Sequence, residues 1–173
     1  MSRFHIHADS FHWITGAADD PQDLCLHGTV TVTIGNQSWK EDGTVSATAL
    51  YLLKSLTEEH VAGSGLQMIP CCGHAIYPNS ILTEVQIVGC NTGLDWSIFH
   101  KNGEIRLIAP DGAETTVPMA EYRAEVLRFA EAVEEIYQKS APKMPTDDAL
   151  IRNGYIAFWN EWHRRYRDAR NND

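Results

Sequence analysis

Cys71-Cys72-Gly73-His74 places two thiols and an imidazole within four consecutive positions, directly after Met68-Ile69-Pro70. Thiolates and imidazoles are the ligands that zinc and other thiophilic ions take. A thiolate beside an imidazole is also the beginning of a nucleophilic pair. Cys71, Cys72 and His74 are therefore the set the sequence would offer if the chain holds an ion. A tetrahedral site would draw its remaining ligands from Cys25 and His27, which alternate onto one extended face, or from Cys90. Zinc signatures normally pair two hooks of the Cys-x-x-Cys or His-x-x-x-His kind, and neither spacing occurs here. Cysteine is also among the residue types most often buried. The expectation is four reduced structural thiols, no catalytic residue and no cofactor.

His5 and His7, two apart on an extended segment, project the same way and could start a metal or acid–base site. Solvent-facing histidines on a wet strand face are the simpler account. Gly63-Ser64-Gly65 has the composition of a phosphate loop but lacks the Lys and Ser/Thr that complete one. The last candidate is the aromatic and basic run from Phe158 to Arg167. Trp and Arg are enriched where proteins bind one another, and Trp159 stands beside the apolar stripe of its helix rather than on it.

These groups sit in 173 residues, enough for one domain with a real core, and the reading is a single globular domain over 1–173. Formal net charge is −9. An acidic body disfavours a phosphate backbone, which is bound by Lys and Arg displacing counterions, so nucleic acid is excluded as a partner. No secretory leader and no membrane-length apolar run are legible, which points to a cytoplasmic, bacterial-type protein with reduced thiols. The same charge would steer a basic protein partner.

Sequence periodicity gives the positioning elements. Phe4 and Ile6 alternate with His5 and His7, and Val30, Val32 and Ile34 alternate with Thr29, Thr31 and Thr33, so two strands form an N-terminal hairpin-type start. Ala49, Leu50, Leu53 and Leu56 recur at helical spacing, predicting a mostly buried helix over 46–59. Residues 84–117 read as an antiparallel meander, turned by Asn102-Gly103 and by Pro110-Asp111-Gly112. Two helices follow. The first, 119–139, carries Tyr122, Val126, Phe129, Val133 and Ile136 on one stripe. The second, 146–168, carries Ile151, Tyr155, Phe158, Trp162 and Tyr166, and Thr146, Asp147 and Asp148 favour its start. Strands and helices segregated in this way imply an α+β fold, with a mainly antiparallel sheet and the helices on one face.

With no finished catalytic constellation, the reading that follows is a non-enzymatic, acidic protein-binding module. It would be an immunity or antitoxin type of inhibitor of a basic bacterial toxin domain. Its contact surface would be Glu121, Glu125, Glu131, Glu134, Glu135, Asp147, Asp148 and Trp159. The alternative is a small metal- or thiol-dependent enzyme built on Cys71, Cys72 and His74. The sequence leaves open whether the chain pairs as a homodimer.

Overall fold

The computed structural model describes residues 3–16 and 19–171; residues 1–2, 17–18 and 172–173 lie outside that description. β1 (Phe4–His12), β2 (His27–Ile34) and β3 (Gln37–Thr44) form an antiparallel sheet in that order. Phe4, Ile6, Val30, Val32 and Ile34 all point into the core, and His5 and His7 point out, as strand alternation requires. β1 runs on past Ala8 because the register shifts between Asp9 and His12, where Ser10 adopts φ 54°, and His12 then pairs with His27.

α1 (Val45–Ser55) follows at once. Every one of its residues except Lys54 is buried, the mark of a helix enclosed on all sides. It stops short of residue 59 because the amides of Thr57 and Glu58 both turn back to the Lys54 carbonyl.

The expected meander over 84–117 is only partly formed. β6 (Val85–Val88) pairs backwards with β5 (Ala75–Pro78), and β7 (Gly93–Leu94) pairs with β4 (Ile69–Pro70). The meander proper is β8 (Ser97–Lys101), β9 (Glu104–Ile108) and β10 (Glu114–Pro118), in the order β10-β9-β8. Asn102 and Gly103 both take positive φ in its two-residue turn, as a tight hairpin of this kind requires. What looked like one sheet is four separate antiparallel sheets. The physical reason lies at Asn79, whose side chain bonds the Thr83 amide and hydroxyl and so folds β6 back on β5.

α2 (Met119–Lys139) buries Tyr122, Val126, Phe129, Ala130 and Val133. α3 (Ala149–Asn171) begins where the Asp148 carboxylate accepts the amides of Leu150 and Ile151. Its inward face is Gly154, Ala157, Phe158, Glu161, Trp162, Arg165 and Ala169, a rotation away from the aromatic stripe that leaves Ile151 exposed and Tyr155 and Tyr166 half-buried. The rotation follows from Glu161. Its fully buried carboxylate accepts the Val85 amide at 2.7 Å and Arg165 Nε at 2.7 Å, and lies 3.3 Å from Lys54 Nζ. α1 packs on β2, and α2 on β1, while α3 packs along β5 and β6 instead of joining the same sheet face. The fold class is α+β. No helix among the described residues is long and apolar enough to cross a membrane.

Candidate thiolate centre

Cys71 and Cys72 leave β4, and Cys90 lies in the short connection between β6 and β7. The β4–β7 ladder aligns Pro70 with Gly93, and the Cys71 amide continues it by donating to the Thr92 carbonyl at 3.1 Å. Two glycines make the approach close enough for side chains to meet. A Cβ at Gly93, which has φ 139°, would lie 2.3 Å from the Ile69 carbonyl oxygen, and one at Gly89 would lie 2.0 Å from that of Cys72. Both distances are far inside van der Waals contact, so only glycine permits this crossing of the two connections.

The result is a compact group of three sulfurs. Cys90 Sγ lies 3.0 Å from Cys72 Sγ and 3.1 Å from Cys71 Sγ, with the Thr92 hydroxyl 3.0 Å away. The Cys90 amide donates to Cys72 Sγ at 3.0 Å. All three sulfurs fall within 4.8 Å of one another, and no other trio of Cys, His, Asp or Glu converges in this way among the described residues. Cys71 and Cys90 are exposed and Cys72 is half-buried.

The group does not hold its protons equally. Hydrogen bonding with the Thr92 hydroxyl, then with the thiols of Cys72 and Cys71, brings Cys90 down to about 6. Cys72 moves up, first because its own thiol donates to Cys90. Cys25 is the contrast within the chain. Burial pushes its thiol up to about 12, and its Sγ faces the Gly73 carbonyl at 3.6 Å.

The expected set of Cys71, Cys72 and His74 is thus rearranged: Cys90 takes the third place and His74 turns away. His74 Nε2 sits 3.3 Å from His27 Nε2, with the rings stacked at 4.9 Å between centroids. His27 is buried and its Nδ1 has no hydrogen-bond partner. Burial first, then the neighbouring His74, lowers its proton affinity. His5 and His7 stay on the outer strand face, where His5 Nδ1 meets Glu125 at 2.9 Å, far in sequence from any sulfur.

The residues expected to form an acidic contact surface mostly have work inside the chain. Glu125 pairs with Arg128 and accepts the Ile6 amide. Glu131 meets Tyr166 and Arg170, Glu134 accepts from Trp162 Nε1 and His163, and Glu135 pairs with Lys139. Asp148 caps α3, while Glu121 and Asp147 are exposed. Trp159 is half-buried in an aromatic cluster, edge-on to Tyr137 at 5.0 Å and stacked on His163 at 5.4 Å.

A groove of about 500 Å³ opens between α1 and β6, lined by Tyr51, Lys54, His60, Leu66, Met68 and Ile87. Its ionisable groups are already engaged, Lys54 with Glu161 and His60 with Asp95 at 2.7 Å. Asp95 also accepts the amides of Gly63, Met68 and Trp96, which makes it the organiser of the preceding loop. Sequence reasoning passed over Asp95, and over Thr92, Gly89 and Gly93. The available signal was a cysteine bracketed by glycines at 89 and 93, where a chain must come close to something. No protein-family model, curated protein or solved structure matches this chain.

Proposed function

We propose that this chain is a metal-binding protein whose centre is Cys71, Cys72 and Cys90, taking a thiophilic cation of the zinc or copper(I) class. The single supporting observation is the convergence of three sulfurs at the surface with no carboxylate or imidazole among them. Thiolate sets of this kind select soft and borderline ions over magnesium or calcium. Binding requires the thiols to lose their protons, and the Thr92 hydroxyl with the neighbouring thiols holds Cys90 below the ordinary thiol value. Sulfurs bound tetrahedrally to zinc at 2.3 Å stand about 3.7 Å apart, so the trio must open slightly on loading. Three protein ligands leave a further position for water or for a group from a partner. The test is metal analysis of untagged protein, followed by titration of the reduced chain against a chromophoric chelator. One ion per chain, lost when Cys90 is replaced by Ser, supports the reading; no binding tighter than micromolar to either ion overturns it.

A second proposal rests on the net charge of −9: an immunity or antitoxin type of inhibitor that captures a basic toxin domain by charge complementarity. Binding to such a domain that weakens with salt, and weakens again when Glu121 and Asp147 are neutralised, would support it. Salt-independent recovery of nothing basic from lysate would sink it.

A further inference from the structure

We propose that Cys90 is the hub of a thiol–disulfide switch at this centre, oxidised by a hydroperoxide and closed by Cys72 or Cys71, with loss of the bound cation. The disulfide half stands on the sulfur positions alone; the cation half rests on the metal-binding reading above.

Cys90 Sγ is in contact with two other sulfurs, at 3.0 and 3.1 Å, and a disulfide needs about 2.05 Å. About 1 Å of movement separates the reduced contact from the bond. The approach is already made by the backbone, because Gly89 lies against the Cys72 carbonyl and no side chain intervenes. Exposure of Cys71 and Cys90 admits a small oxidant. Chemistry proceeds in two balanced steps. The Cys90 sulfur attacks one oxygen of the hydroperoxide, the O–O bond breaks, an alcohol or water leaves, and Cys90 becomes a sulfenic acid. The Cys72 thiol then attacks that sulfur, its proton leaves with the hydroxyl as water, and the S–S bond forms. Two electrons pass from the two thiols to the peroxide. Either product leaves one thiol of the trio beside a disulfide, where it can exchange onto the Cys90 sulfur. Oxidation removes two of three ligands, so the cation departs. Cys25 takes no part, being buried with its proton held.

The experiment uses the full reduced chain, metal-free, treated with one equivalent of hydrogen peroxide and mapped by peptide mass spectrometry. The expected result is the loss of two thiols per chain. The disulfides should join Cys90 to Cys72 or Cys71, Cys25 should remain a thiol, and a dithiol should reverse the change. Cys72→Ser should redirect the bond to Cys71 and Cys71→Ser should redirect it to Cys72, while Cys90→Ser should slow intramolecular bond formation at least tenfold. A bond confined to Cys71 and Cys72, links only between chains, or oxidation of Cys90 to sulfinic acid without a disulfide would each overturn the switch. A parallel sample loaded with zinc should release the ion to a chelator as the disulfide forms. If the reduced chain takes no ion while the mapped disulfides form, the metal-binding reading fails and the redox chemistry stands. If the ion binds and no disulfide forms, the switch fails alone.

Discussion

The buried ion network on α3 and the exposed thiols of the β4–β7 crossing solve opposite problems with the same kind of group. Glu161 is removed from water completely, and each of its oxygens is matched: the Val85 amide, Arg165 Nε and Lys54 surround it, and Arg165 in turn reaches Glu58 and Thr57. Burying charge is costly unless geometry and partners compensate, and here they do, so the network fixes α3 against α1 and β6. At the crossing, three ionisable sulfurs are left beside solvent with mainly one another and Thr92 for partners. The first arrangement spends its polar groups on position. The second leaves them free for chemistry, and this is where a ligand or oxidant has access.

The contrast breaks most sharply at Glu161. Glu161→Ala strands Arg165, Lys54 and the Val85 amide, and chemical denaturation should show a loss of about 3–5 kcal/mol, while cation binding at the sulfurs is retained if the chain still folds. Gly89→Val places a side chain where the Cys72 carbonyl stands. It should cost about 1–3 kcal/mol by overpacking and weaken cation binding at least tenfold in chelator competition, with every sulfur still present. Cys90→Ser inverts that pattern: an exposed substitution should stay within about 0.5 kcal/mol yet abolish stoichiometric binding. Equal effects of Cys90→Ser on stability and binding would make the crossing a structural clip.

His27 sharpens the comparison from a third direction. Its folded proton affinity lies below the ordinary imidazole value because it is buried. The neutral form is therefore favoured by folding, the associated stability is complete above about pH 6.5, and it falls as pH drops from there through the lower folded value. Denaturation midpoints measured from pH 7 downward should decline, and His27→Gln should flatten that decline. The smallest effect belongs to Glu135, whose exposed pair with Lys139 spans one helical turn; Glu135→Ala should change stability by less than about 0.5 kcal/mol.

Helix α2 was legible from end to end because its stripe from Tyr122 to Val133 is a local repeat on a single element. The alternation of Phe4 and Ile6 with His5 and His7, and the Asn102-Gly103 turn, were legible for the same reason. Residues 75–94 were not. Ladders only two to four residues long carry too little periodicity to announce their partners, and the decision fell to Asn79 and to close backbone contacts. Glu161 and Arg165 illustrate a different blindness. Their spacing marks a helical pair, but nothing local distinguishes a pair facing water from one sealed beneath β6.

Taken alone, the amino-acid order determined the three helical segments and the hairpin at Asn102-Gly103, the acidic balance of charge, and that Cys71 and Cys72 stand together. Tertiary structure decided that their companion is Cys90 rather than His74, and that His74 goes to His27. Periodicity and turn chemistry act over a few residues and survive in the sequence. A meeting between groups eighteen or nineteen positions apart depends on how closely two backbones cross, and at Gly89 and Gly93 that closeness is set by the absence of a side chain.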